Sequence, residues 1–163
     1  MSVRFSPKDP SIFATSSMDA TIKIWNVGSN KPNITLQDHK SGVSSVDFHP
    51  IQNLLISGSD DHTIKLWDYQ ERKCIYTFSE HTEGVTSVLF HPHLHCILSA
   101  SEDGQVIIWN MNNYKSSQTL SYYMQKCWCI RINKSKPGVL AMGYDEGTLV
   151  VKLGGDDKRA SLK

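Results

Sequence analysis

A step of 42 residues runs through this chain and limits what it can fold into. Trp25, Trp67 and Trp109 recur at that step, and so do Asp19, Asp61, Asp103 and Asp145. His39 and His81 share it, as do Thr15, Ser57 and Ser99, and the triplets Phe48-His49-Pro50 and Phe90-His91-Pro92. So many positions held in one frame mark tandem copies of one small unit. Such a unit cannot bury its apolar face alone and must stack on its neighbours.

Inside one period every segment reads as strand. VSSVDF (43–48) alternates apolar and polar, as a half-buried strand does. His49-Pro50 breaks the run. NLLISGS (53–59) is a second, more continuously apolar strand, and Asp60-Asp61-His62 is a tight turn. TIKLWD (63–68) and KCIYTF (73–78) are the third and fourth. Four short strands per unit, ending at Ile24-Trp25-Asn26, Leu66-Trp67-Asp68 and Ile108-Trp109-Asn110, form the WD-repeat pattern of a β-propeller blade. The expected fold is all-β: a partial, open propeller of about four blades with four-stranded antiparallel sheets. The blades fall at about 1–36, 37–78, 79–120 and 121–153.

The recurring polar residues have a structural use. In a WD blade the turn Asp, the loop His, the Ser or Thr of the second strand and the Trp of the third can form one buried hydrogen-bonded chain. Complete sets are His39, Ser57, Asp61, Trp67 and His81, Ser99, Asp103, Trp109. A Ser/His/Asp trio suggests a hydrolase, but an active site does not come in consecutive copies, and no G-x-S-x-G turn presents a nucleophile. The first blade has Thr15, Asp19 and Trp25 without the His. In the fourth, Tyr123, Ala141 and Val151 replace His, Ser and Trp, and only Asp145 remains, so the polar chain is expected to be lost there. VLAMGY, TLVVKL and the strand containing Trp128 still predict a fourth sheet. No clear strand follows Leu153, and residues 154–163 read as a polar tail, poorly ordered or leading into an absent segment. WD rings close most often with seven blades, so four predict a fragment of a longer protein or an arc that pairs through its open blade edges.

Charge narrows the function classes. The chain holds 17 Lys+Arg and 16 Asp+Glu, which argues against a generic nucleic-acid binder. Residues 1–120 carry 9 basic and 12 acidic side chains, and residues 121–163 carry 8 and 4. No apolar run is long enough for a transmembrane helix, and MSVRFSPKDP lacks a signal-peptide core. Cys74, Cys96, Cys127 and Cys129 make no CxxC pair and read as free thiols of a reducing compartment or as small buried residues.

Several stretches are more specific than a generic blade. SPKDPSIFATSSMDATIKIWNVGSNKPNITL (6–36), SDDHTIKLWDYQERKC (59–74), SEDGQVIIWNMNNYKSSQTL (101–120), KCWCI (126–130) and GYDEGTLVVKLG (143–154) resemble the N-terminal propeller of the coatomer beta-prime family, part of the COPI vesicle coat. The likeness covers nearly the whole chain and would place it as the last four blades of seven. It implies a non-enzymatic coat role on Golgi membranes and COPI-coated vesicles. It also implies binding of C-terminal dilysine signals on membrane cargo, for Golgi-to-ER retrograde and intra-Golgi transport. The implied partners are the other coatomer subunits, the alpha subunit among them, with attachment to the membrane peripheral and through the coat. No cofactor is implied. On each blade the residue before the repeat Asp points into the family's binding face: Met18, Asp60, Glu102 and Tyr144. Asp60 matches the family position that meets a cargo lysine, and Glu83 and Glu102 are acidic neighbours by geometry.

Other signals compete with these. Asp60 also suits a turn residue that caps its own hairpin. His91, His93 and His95 alternate as metal ligands can, but Pro92 forces a surface turn. Cys127 and Cys129 flank Trp128, so alternation points both thiols one way, towards a buried structural role. Gly154-Gly155-Asp156-Asp157 lacks the strand and helix of a nucleotide loop. Lys126, Arg131, Lys134 and Lys136 could face an anionic membrane or a coat partner, or simply solvent. The alternatives are a generic WD scaffold, such as a ubiquitin-ligase adaptor, and an enzyme or metal protein using the His91–His95 cluster.

Overall fold

The computed structural model describes residues 2–133 and 135–153, and the backbone of 161–162. The stretch Gly154–Asp157 and all but two residues of the 154–163 tail lie outside them. The described residues include no helix, and so none long and apolar enough to cross a membrane.

The strands fall into four antiparallel sheets in chain order. The first is β1 (Val3–Phe5), β2 (Ile12–Ser16), β3 (Thr21–Asn26) and β4 (Ile34–Gln37). The second is β5 (Val43–Phe48), β6 (Leu54–Ser59), β7 (Ile64–Asp68) and β8 (Lys73–Phe78). The third is β9 (Val85–Phe90), β10 (Cys96–Ser101), β11 (Gln105–Asn110) and β12 (Ser116–Ser121). The fourth is β13 (Cys127–Ile132), β14 (Val139–Tyr144), β15 (Gly147–Lys152) and β16 (Ser161–Leu162). The chain is an open, unclosed propeller arc. The sequence shows no strand after Leu153, yet the backbone of Ser161–Leu162 pairs with Leu149 and Val150. The outer edge of β15 offers unpaired backbone groups, which any extended segment can use.

The core lies between the blades. Trp67 is buried with Ala14, Ile22, Ile24 and Leu36 of the first blade, and Trp109 with Ile56, Ile64 and Leu66 of the second. Each Trp therefore packs backwards, onto the blade before its own. Trp25 has no such blade among the described residues. It stays half-buried, stacked on Phe13 at 6.2 Å, and Phe13 in turn lies 5.6 Å from the exposed Phe5.

The inner strands carry a repeated irregularity. Pairing slips at Ser44, Thr86 and Trp128, three residues in one frame, so each inner strand of the last three blades holds a β-bulge. The bulge corrects the reading of the two cysteines. Cys127 is buried and Cys129 exposed, because the extra residue between them breaks the two-residue alternation.

Side chains of the earlier blade then fasten the later one. Ser44 donates its hydroxyl to Val85 O, and Thr86 donates to Cys127 O at 2.5 Å. The N–H groups of Val88, Phe90 and Ile130 donate to Ser45 Oγ (3.2 Å), Asp47 Oδ2 (2.9 Å) and Ser87 Oγ (3.5 Å). Backbone groups left unpaired on an inner edge are thereby satisfied.

Candidate functional site

In the second and third blades the repeat residues form one continuous chain. Trp67 Nε1 donates to Ser57 Oγ at 2.8 Å, and Ser57 lies 2.7 Å from His39 Nε2. His39 Nδ1 stands 2.8 Å from Asp61 Oδ2. A carboxylate only accepts, so the imidazole proton sits on Nδ1 and Ser57 donates to Nε2. The third blade repeats this with Trp109, Ser99, His81 and Asp103, each link at 2.8 Å. The serines have no exposed surface and the histidines almost none, so no substrate reaches the trio.

Charge within the chain follows burial and hydrogen bonding. Burial lowers the His39 pKa and keeps the ring neutral, against the pull of Asp61. Burial would raise Asp61, but donors from Thr63, Lys40 N–H and His39 outweigh it and hold the carboxyl at about 2. Asp103 is likewise lowered: burial opposes the shift, and the bonds from His81 and the Gln105 and Thr82 N–H groups prevail.

The first blade keeps a remnant. Trp25 Nε1 donates to Thr15 Oγ1 at 2.9 Å, and Asp19 accepts from Thr21 N and Oγ1 at 2.9 and 2.6 Å. The fourth blade has a substitute that the repeat frame does not foretell. Trp128 Nε1 donates to Asp145 Oδ1 at 2.6 Å, on the surface, from the bulge position held by Ser44 and Thr86 elsewhere.

The face built by the turns before the inner strands and after the second strands gathers Met18, Asp60 and Glu102. Gly42 and Gly84 sit between these side chains. A Cβ on Gly42 would lie 3.0 Å from both Asp60 Oδ2 and the Met18 terminal methyl. One on Gly84 would lie 3.4 Å from Glu102 Oε1 and 3.7 Å from Asp60 Oδ1. Asp60 N–H donates to Gly42 O, and Glu102 N–H to Gly84 O, both at 2.9 Å. Asp60 is half-buried, and among the described residues its carboxylate has no ion pair. Glu83 is exposed, and its backbone carbonyl accepts from Ser101 Oγ at 3.1 Å. Glu102 is paired with Lys126.

Tyr144 does not join the face. It is 6% exposed, and its hydroxyl donates to Met142 Sδ at 3.6 Å inside the core between the last two blades. The cause is a shorter hairpin. Tyr144 pairs with Gly147 across a two-residue turn and remains in β14, whereas β6 and β10 end before Asp60 and Glu102. Strand alternation then turns the ring inward.

At the opposite edge, His91 of the histidine run is committed to local structure. His91 Nδ1 accepts the N–H groups of His93 (3.1 Å) and Leu94 (2.8 Å), and its Nε2 lies 3.1 Å from Pro137 O. Both ring nitrogens of His91 are thus used. Among the described residues no three His, Cys, Asp or Glu side chains are grouped to hold a metal ion.

The model of the family described as "WD domain, G-beta repeat" matches residues 1–26, 30–68 and 72–110. The chain is 48% identical to the probable coatomer subunit beta' of Caenorhabditis elegans over 99% of its own length and 16% of that protein. It is 52% identical to coatomer subunit beta' of Homo sapiens and 53% identical to coatomer subunit beta'-2 of Oryza sativa subsp. japonica. In each of these two cases the match spans 99% of this chain and 18% of the relative. The chain therefore spans less than a fifth of the length of these relatives. The blade model stops at residue 110, but the likeness to these relatives continues through the fourth blade.

Proposed function

This chain belongs to the WD domain, G-beta repeat family, and on that premise we propose that it works as part of a COPI coat subunit of the coatomer beta' type, binding sorting signals and catalysing nothing. In this reading the turn face takes the C-terminal dilysine signals of membrane cargo for Golgi-to-ER retrograde and intra-Golgi transport. Its partners are those cytoplasmic tails and the other coatomer subunits, the alpha subunit included. It works in the cytoplasm, on Golgi membranes and COPI-coated vesicles, and meets the membrane only through the coat.

The observation that carries the reading is Asp60. Its carboxylate is half-buried on the turn face, flanked by two glycines that leave it uncovered, and has no cation of its own among the described residues. An ammonium group from outside would complete it with a charge-assisted hydrogen bond. The long likeness to coatomer beta' proteins supports the coat setting.

The test is a titration of the full-length protein with a fluorescent peptide ending in a dilysine signal. Asp60→Ala should weaken binding by about tenfold or more, the loss of one bond to a charged group being worth roughly 1.5–3 kcal/mol. Binding unchanged by Asp60→Ala removes that residue from the site. Absence of binding by the folded parent protein rejects the dilysine reading.

A further inference from the structure

Gly42, Gly84 and Lys126 occupy one position of the frame, three residues after His39, His81 and Tyr123. In the second and third blades the glycine leaves the neighbouring carboxylates open. In the fourth a lysine stands there. Its ammonium pairs with Glu102 and lies 5.6 Å from the centre of the Trp128 ring, a distance at which a cation is attracted to an aromatic face. The Trp128 indole is itself held by Asp145. Lys126 is thus a primary amine that the fold delivers to one acidic group of the face, while Asp60 beside that group has no cation among the described residues.

Resting on the dilysine reading of this face, we infer that Lys126 is a built-in competitor: its ammonium occupies Glu102 as a ligand lysine would, so an incoming signal docks at Asp60 and reaches Glu102 only by displacing Lys126. The consequence is a weaker, displaceable site, with selectivity for ligands whose second amine can replace Lys126. The pair is solvent-accessible, with side chains 47% and 29% exposed. Such a pair is weak enough to exchange.

The experiment compares dilysine-peptide binding by the full-length protein, its Lys126→Gln variant and a charge-matched Lys152→Gln control on β15. It also measures the rate at which an amine-acylating reagent modifies Lys126, with and without peptide. Lys126→Gln should bind roughly fivefold tighter, because no fraction of the site is occupied from within, while Lys152→Gln matches the parent. Saturating peptide should speed acylation of Lys126 by freeing its amine. Parent binding with equal or weaker binding by Lys126→Gln overturns the competitor and leaves the dilysine reading standing. Peptide binding that leaves Lys126 acylation unchanged overturns the competitor as well. Absence of binding by every variant overturns both readings.

Discussion

The second and third blades solve with buried polar groups what the fourth solves at the surface. In the former, Trp, Ser, His and Asp form a dry chain that pins the third strand, the second strand, the incoming loop and the turn to one another. In the fourth, Val151 replaces the Trp and packs in the core, and an exposed bond from Trp128 to Asp145 takes over at the turn. The fourth sheet still has the same strand order. The polar chain is therefore not what makes a blade. Apolar burial against the preceding blade makes it, and the polar chain adds rigidity at the loops and turns of the face that carries Asp60 and Glu102.

The sharpest way to break this comparison is to remove one Trp from each kind of blade. Trp109→Ala should lower stability by about 3–5 kcal/mol, because it empties a filled core site and strands Ser99. Trp128→Ala should cost about 1 kcal/mol or less, since that ring is 48% exposed. Urea unfolding midpoints decide it, and equal losses would refute the distinction. A smaller contrast comes from the turn acids. Asp103→Ala leaves His81 and the N–H groups of Thr82 and Gln105 without their acceptor, at a cost of about 1–3 kcal/mol. Asp145→Ala exposes its donors to water and should cost about 0.5 kcal/mol or less.

The smallest contrast is in pH. His39 is lowered in the folded state, so its contribution is complete above the ordinary imidazole value of 6.5. It fades as pH falls below that, where the unfolded chain gains a proton that the folded one resists. Asp61 behaves alike at lower pH: its contribution holds above 3.8 and is lost as pH falls towards about 2. Asp47 works the other way. Burial raises it to about 6, against the Phe90 N–H and Arg4, so its contribution is greatest below 3.8 and is lost as pH rises through about 6. With Asp47→Asn removing that opposing titration, hydrogen exchange between pH 7 and 5 should show β5–β8 losing protection before β13–β15. Equal loss in the two sheets would mean that the His chain carries no special acid sensitivity.

The strands were legible in the sequence because two periods agree there: alternation within each strand and the 42-residue step between blades. VSSVDF and VLAMGY are β5 and β14 to the residue. What escaped depends on geometry between sheets. The inward turn of Tyr144 comes from a tighter hairpin, and residue identity does not encode that. The bulges at Ser44, Thr86 and Trp128 had a signal, since the three share the frame. Nothing in a Ser, a Thr and a Trp announces a common backbone slip, however. The Lys126–Glu102 pair joins residues 24 apart on different blades, where spacing offers no guide.

The fastening between blades has an asymmetric consequence for how such a sequence can drift. At each of these joints the side chain is supplied by the earlier blade, and the later blade contributes backbone alone: Val85 O, Cys127 O and the N–H groups of Val88, Phe90 and Ile130. Every non-proline residue offers that backbone. A later inner strand can therefore change its own side chains without losing its anchorage, provided its predecessor keeps Ser, Thr and Asp in place. The fourth blade is held in this way by Thr86 and Ser87 of the third. There Trp128 and Arg131 stand where the second blade has Ser44 and Asp47, and the arc still holds them.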